Sequence, residues 1–221
     1  MLRKFFLPIL IVFGILGSVW ADNSVGIPDV HIGDMWKYKV LDGYSNETTG
    51  QFSNRIVKVD DKGIVFQYRN LLNKDASKQN LIYATREWNV FDNGNQTWDP
   101  FLPEYKFSLS VGKTWSQEYR GSNNEGKTFS GLLKAKVVAL EKVTVPAGTV
   151  DAYRIELDLE SRNTGEDANI YRNHIIIWYA PIVKKYVRRE NTTISNGRER
   201  SKRIEELFEY SLRENLPAPS K

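Results

Sequence analysis

Apolar and polar side chains alternate with a period of two along much of this chain. The longest regular example covers residues 153–160, YRIELDLE, where aromatic and aliphatic side chains alternate with charged ones. A β-strand points successive side chains to opposite faces of a sheet. The pattern therefore predicts a strand with one buried and one solvated face, and the run 35–41, MWKYKVL, repeats it.

Turn-forming residues separate the alternating runs at hairpin-like spacing, as at 60–63 (DDKG) and 92–95 (DNGN). Within 143–161, Pro146 cannot donate to a strand ladder and Gly148 can adopt a positive φ, so both suit a hairpin corner. We count about ten strands, and no segment alternates strand with helix. The sequence predicts a mainly β fold: a single antiparallel, strongly curved sheet or open half-barrel with few helices.

The last apolar run, 204–212, fits two kinds of element. Ile204, Leu207 and Phe208 are spaced as on one face of a helix, whereas Phe208, Tyr210 and Leu212 are spaced as on one face of a strand. Periodicity alone leaves both interpretations open.

Residues 1–21 have the layout of a secretory signal peptide. Arg3 and Lys4 precede an apolar run, and the small residue Ala21 follows it at the position that a signal peptidase requires. The apolar run is too short for a membrane span, although an uncleaved N-terminal anchor is the alternative. We predict that cleavage leaves a single β domain over 22–214, a flexible tail over 215–221 and no transmembrane span.

The chain contains no cysteine. Disulfides, thiolate metal ligands, cysteine nucleophiles and the lipidated cysteine of bacterial lipoproteins are therefore excluded. Together with the signal peptide, this predicts a periplasmic protein that is not a lipoprotein. Removing Arg3 and Lys4 from 31 basic residues leaves 29 against 27 acidic ones, a net charge of +2 that does not favour a nucleic-acid partner.

Four phrases carry a resemblance to a known group of proteins. They are the hairpin 143–156 (VTVPAGTVDAYRIE), GKTW at 112–115, WYAP at 178–181 before a basic strand at 184–189, and ELFEY at 206–210. In this order and spacing they resemble a family of exported bacterial β-sheet proteins with no established activity. The match covers 107–210, whereas the part before residue 100 matches only loosely, and Val150 stands where an aromatic residue is usual.

The resemblance implies an antiparallel half-barrel, distantly similar to the periplasmic lipoprotein carriers. It also favours a strand over a helix for the run 204–212. It brings no activity, cofactor or catalytic residue that could be carried over to this chain.

Motifs for catalysis, metal binding and cofactor binding are weak or missing in the sequence. The two histidines, His31 and His174, lie far apart, no serine lies in a G-x-S-x-G phrase, and 121–126 lacks the residues that complete a phosphate-binding loop. The regular acidic stripe of 156–160 is typical of a solvated strand face rather than of a catalytic carboxylate pair. We predict no metal, no cofactor and no enzyme activity.

Aromatic residues are the strongest indication of a binding site. A curved sheet has a concave face that side chains, a helix or a ligand must fill. We predict a ligand-facing role for Trp36, Tyr38, Trp88, Trp115, Trp178 and Tyr179. The alternative is that these side chains form the core itself.

Basic residues cluster in 184–189 and 198–203, on two strands that a polar turn connects. Paired strands would place them on one basic ridge, which comprises Lys184, Lys185, Arg188, Arg189 and Arg203. Such a ridge could contact anionic lipid headgroups or an acidic partner. The alternative is an ordinary solvated face opposite the acidic stripe.

These features together predict a non-catalytic exported protein of the bacterial envelope that binds an apolar or amphipathic ligand, a lipid or an acylated protein. One alternative is a structural or protein-interaction module that pairs with an envelope protein through an exposed strand edge. Another is an enzyme acting on envelope polymers. A carrier requires a cavity lined by aromatic residues; complete burial of Trp36, Trp115 and Trp178 with no cavity would remove its main support.

Overall fold

A computed structural model describes residues 24–73, 80–164, 170–195 and 197–213. The predicted signal peptide and the predicted tail lie outside these residues. Within them the chain forms twelve β-strands and one turn of 3-10 helix, Pro181–Val183, with no α-helix.

The strands follow one another along the chain, and the irregular segment 100–113 connects β6 to β7. Their bounds are β1 Met35–Asp42, β2 Thr48–Asp60, β3 Gly63–Asn70, β4 Asn80–Ala84, β5 Val90–Asp92, β6 Gln96–Asp99, β7 Thr114–Asn123, β8 Thr128–Val145, β9 Gly148–Asn163, β10 Ile170–Ala180, β11 Lys185–Ser195 and β12 Arg198–Ser211. The run that periodicity left ambiguous lies in β12 and is a strand.

The sheet closes into a barrel. Each strand pairs antiparallel with its sequence neighbour, and β1 also pairs with β12, from Met35 opposite Ser211 to Asp42 opposite Arg203. The mainly β prediction is confirmed, but the single curved sheet or open half-barrel is wrong. Closure depends on pairing between the first and last strands, which no local pattern of residues specifies.

The hairpin of β8 and β9 turns at the predicted Pro-Ala-Gly corner, where Val145 pairs with Gly148. Gly148 has a positive φ of 128°. The hairpin tip packs back onto the barrel, since the Ala147 amide donates to the Leu207 carbonyl at 3.1 Å. Further along β9, Glu160 forms an exposed ion pair with Arg172 at 2.9 Å. The acidic stripe is thus a solvated face with cross-strand partners.

Tryptophan side chains fix one end of the barrel. The Trp36 indole N–H donates to the Val183 carbonyl at 2.8 Å, and that of Trp115 donates to the Pro103 carbonyl at 2.9 Å. Both carbonyls belong to connections, 181–184 between β10 and β11 and 100–113 between β6 and β7. Buried indoles need a hydrogen-bond partner, so these two side chains anchor the connections over the core.

Candidate functional site

A cavity of about 340 Å³ lies inside the barrel, against strands β2, β3, β4, β11 and β12 and the connection 100–113. We call it the lumen cavity. Its aromatic wall consists of Phe52, Phe66, Tyr68, Trp88, Trp98, Tyr105 and Tyr186. Its charged side chains are Glu104, Lys185, Arg189, Arg203 and Glu205.

Three rings of the aromatic wall, Tyr186, Phe52 and Tyr68, form a continuous stack with Tyr38 of β1. Tyr186 stacks on Tyr38 with ring centroids 4.6 Å apart, Tyr38 on Phe52 at 5.1 Å, and Phe52 on Tyr68 at 5.1 Å. The Tyr38 hydroxyl also donates to the Tyr186 carbonyl at 2.8 Å. These contacts fix the rings in place, so the wall is preorganised before any ligand arrives.

Arg189 and Glu104 form a nearly buried bidentate ion pair in the cavity. Nη1 and Nη2 of Arg189 donate to the two carboxylate oxygens of Glu104 at 2.8 and 2.6 Å. Burial alone would lower the pKa of Arg189, but the charge and hydrogen bonds of Glu104 raise it overall. This guanidinium is therefore a fixed cation whose charge Glu104 neutralises.

Glu205 also has both carboxylate oxygens engaged. One accepts a hydrogen bond from the Tyr186 hydroxyl at 2.7 Å, and the other from Nε of Arg203 at 2.8 Å. Burial, aided by the charge of Glu205, raises the pKa of Tyr186 well above its usual value. The Tyr186 hydroxyl thus stays protonated and serves as a donor to Glu205.

Lys185 is the exception among the charged side chains of the cavity. It is buried, and among the described residues no carboxylate lies within 4.0 Å of its Nζ. Nζ lies over aromatic rings instead, 3.5 Å from the ring centroid of Trp88, 4.6 Å from that of Phe66 and 5.3 Å from that of Trp36. Burial lowers the pKa of Lys185 to about 7, and the charges of Glu205 and Glu104 only partly oppose this.

The backbone around Lys185 is strained. Trp88 and Lys184 both have positive φ angles, 69° and 62°, and the Trp88 indole N–H donates to the Lys184 carbonyl at 3.0 Å. A bulky residue in this conformation costs about 1–3 kcal/mol and persists only where the surroundings impose it. The hydrogen bond to the Lys184 carbonyl fixes the Trp88 ring beside the Lys185 ammonium.

Two amide oxygens in the cavity lack hydrogen-bond partners. Among the described residues, Oδ1 of Asn54 and Oδ1 of Asn191 are buried without a donor, and both side chains line the cavity. Leaving a buried acceptor unsatisfied costs about 1–3 kcal/mol. Such atoms are the positions at which a bound molecule would supply the missing donors.

The structure separates the six predicted aromatic residues. Trp88 lines the lumen cavity, while Trp36 and Tyr38 lie directly behind its wall. Trp115 and Tyr179 are buried near the connection 100–113, where Tyr179 packs 5.3 Å from Phe107. Trp178 is only half-buried and contacts Arg188 outside the cavity. Complete burial of Trp36, Trp115 and Trp178, the result that would have removed support for a carrier, is therefore not observed. Their ligand-facing role stays a prediction.

The five residues of the basic ridge are likewise divided. Lys185, Arg189 and Arg203 line the cavity. Lys184 is buried and its Nζ donates to the Asp29 carbonyl, whereas Arg188 pairs with Glu206 and Glu190. Contact of such a ridge with lipid headgroups or an acidic partner stays a prediction, but the structure does not bring the five residues onto one surface.

Sequence reasoning missed Glu104, Glu205, Asn54 and Asn191. One available signal was strand parity: Lys185 and Arg189 share a parity that differs from that of Lys184 and Arg188, so one exposed ridge could not contain all four. No comparable signal marks Glu104, which lies in the irregular connection 100–113.

A second concavity, of about 1,030 Å³, lies over strands β7 to β10. Its polar contacts are exposed, as is the hydrogen bond between Nδ1 of His174 and Oδ1 of Asp158 at 2.9 Å. Within the described ranges, no group of three or more histidine or acidic side chains could hold a metal ion. The same residues include no helix with the length and hydropathy needed to cross a membrane.

Comparison with known proteins identifies relatives in fold. No protein-family model matches the chain, and no curated protein does. A candidate lipoprotein from Parabacteroides distasonis is similar in structure, with a TM-score of 0.53 and 15% identity over 84% of this chain and 98% of that one. A candidate exported protein with a YmcC-like fold from Bacteroides fragilis has a TM-score of 0.51 and 14% identity, over 84% and 99%.

At these identities the likeness shows the fold alone. The chain shares its architecture with proteins described as exported or as lipoproteins, which agrees in part with the resemblance noted from sequence. The individual sequence phrases and the likeness to lipoprotein carriers stay predictions.

Proposed function

We propose that this protein is an exported, non-catalytic protein of the bacterial envelope that binds a small amphipathic ligand in the lumen cavity. The predicted signal peptide, the absence of cysteine and the fold shared with exported proteins support a periplasmic location. The ligand class that we propose is a lipid with a single acyl chain or the acyl group of a modified protein.

The observation that carries this proposal is the combination of an aromatic wall with unsatisfied polar atoms. Small-molecule sites are typically about 300–1,000 Å³, mostly apolar, with a few polar groups that orient the ligand. The lumen cavity, at about 340 Å³, lies near the lower limit of that range. Its size favours one acyl chain over two, and the free oxygens of Asn54 and Asn191 are acceptors for a hydroxyl or amide N–H group of the ligand.

Strand pairing argues against the principal alternative. Among the described residues every strand is paired on both sides, at β5 and β6 over only a few residues, so no strand of the barrel is free along its whole length. An interaction module would therefore need another surface, such as the polar concavity over β7 to β10.

A cavity-filling substitution tests the proposal. Ile82 lines the cavity, whereas Leu81, its neighbour in β4, is 41% exposed. We expect decanol, a neutral single-chain probe, to bind wild type in isothermal titration calorimetry, and Ile82→Trp to lower its affinity at least about tenfold because the indole occupies the cavity.

The matched control is Leu81→Trp, which adds the same side chain and should leave decanol binding within about twofold of wild type. Native mass spectrometry of protein purified without detergent should show an extractable adduct on wild type and on Leu81→Trp only. Equal binding of decanol to wild type and to Ile82→Trp, or no binding of any single-chain amphiphile to wild type, would contradict the proposed function.

A further inference from the structure

We infer that the ligand of the lumen cavity carries one anionic head group and that Lys185 is its counter-ion. This inference rests on the proposed function, and it specifies the ligand class as a single-chain anionic amphiphile.

The charges that line the cavity do not balance. Three cations, Lys185, Arg189 and Arg203, accompany two carboxylates. Glu104 is engaged by both terminal nitrogens of Arg189, and Glu205 by Arg203 and the Tyr186 hydroxyl. Lys185 is left without a carboxylate partner among the described residues. One added negative charge would equalise the numbers of positive and negative groups that line the cavity.

Aromatic contacts stabilise the Lys185 ammonium without neutralising it. The attraction between a cation and an aromatic ring is weaker than the free-energy cost of removing the cation from water. The ring of Trp88, 3.5 Å from Nζ, thus offsets only part of the cost of burial. An anion that enters the cavity beside Nζ would offset more of it.

Other titratable groups around Lys185 do not take the role of that anion. Glu104 of the connection 100–113 and Glu205 of β12 oppose the lowering of its pKa, but Arg189 of β11 adds to it. Tyr38 of β1, Tyr105 and Tyr186 have pKa values raised well above the usual value by burial, so they stay uncharged near neutral pH.

Proton uptake is an expected signature of this arrangement. With a pKa of about 7, Lys185 is mostly neutral at pH 8. A bound carboxylate favours the charged ammonium and therefore raises the pKa of Lys185. Binding of an anionic amphiphile at pH 8 should then take up close to one proton, which calorimetry in two buffers of different ionisation enthalpy measures.

Decanoate and decanol form a probe pair with the same number of carbons and different head groups. We expect wild type to bind decanoate at least about tenfold more tightly than decanol near pH 7, because a tenfold preference requires only about 1.4 kcal/mol. Lys185→Met should remove this preference, so that decanoate binds no more tightly than decanol. Lys136→Met, at an exposed position of β8, should keep the preference.

The outcomes separate the inference from the proposed function. If neither probe binds wild type, the proposed function fails. If both bind wild type equally, or if Lys185→Met retains the preference for decanoate, the cavity binds ligands but Lys185 is not a counter-ion. Proton uptake by wild type tests the same point without any substitution, and its absence at pH 8 would overturn the inference.

Discussion

The Glu104→Ala variant should unfold with a free energy about 3–5 kcal/mol below that of wild type, the usual cost of removing one partner of a buried ion pair. The substitution leaves the Arg189 guanidinium inside the barrel without its two hydrogen bonds, which measure 2.8 and 2.6 Å. The Glu104 side chain is only 9% exposed, so water cannot replace the carboxylate fully. Equilibrium denaturation in urea, monitored by tryptophan fluorescence, measures the change.

An exposed ion pair provides the control. Asp151 pairs with Lys142 at 3.0 Å on the surface, and Asp151→Ala should cost no more than about 1 kcal/mol. Replacing Glu104 and Arg189 together by leucine should recover most of the stability that Glu104→Ala loses, because no unpaired charge then stays buried. A loss below about 1 kcal/mol for Glu104→Ala would show that this pair is not buried in solution.

Wild-type stability should rise by about 2 kcal/mol between pH 7 and pH 9, and Lys185→Met should lack this increase. The folded-state pKa of Lys185, about 7, lies below its ordinary value of 10.5. Between pH 7 and pH 10.5 the Lys185 side chain binds more protons in the unfolded chain than in the folded one, so the free energy of unfolding rises with pH. The pKa of Lys185 is lower in the folded state than its ordinary value by 3.5 (10.5 minus about 7), which at about 1.36 kcal/mol per pKa unit corresponds to about 5 kcal/mol of stability. The interval from pH 7 to pH 9 covers only part of that range, so the expected increase is smaller.

Urea denaturation at pH 7, 8 and 9 measures this slope. Lys136→Met, which removes an exposed lysine, should retain the wild-type slope. The range stops at pH 9 because buried tyrosines such as Tyr105, with pKa values raised by burial, contribute the opposite slope above about pH 10. A pH-independent stability of wild type over this range would contradict the burial of an unpaired amine at Lys185.

Local periodicity predicted the strands but not their closure. The alternation of Trp36, Tyr38 and Val40 with lysines marks β1, because one face of that strand is buried and the other is solvated. No local sequence pattern predicts that β1 pairs with β12, because most of the chain separates the two strands. An open half-barrel and a closed barrel share the same alternation, and only the long-range pairing distinguishes them.

The candidate site was predictable in composition but not in arrangement. Aromatic and basic residues line the cavity, but Trp88 alone of the six predicted aromatics is among them. The β-bulge after Trp178 changes the pairing of β10 with β11, where charged and aromatic side chains enter the barrel. Glu104 reaches Arg189 across 85 positions of sequence from an irregular connection, where no periodicity applies.

Fluorine NMR of protein labelled with 5-fluorotryptophan tests the central claim, that a ligand binds inside the barrel, most directly. Trp88 and Trp98 line the cavity, whereas Trp178 lies outside it beside Arg188 and Trp115 is buried under the connection 100–113. Single Trp→Phe substitutions assign the resonances. On titration with decanoate we expect the Trp88 and Trp98 resonances to shift and saturate together while that of Trp178 stays in place; a shift of Trp178 alone, or no shift at Trp88 and Trp98, would contradict a ligand site in the lumen.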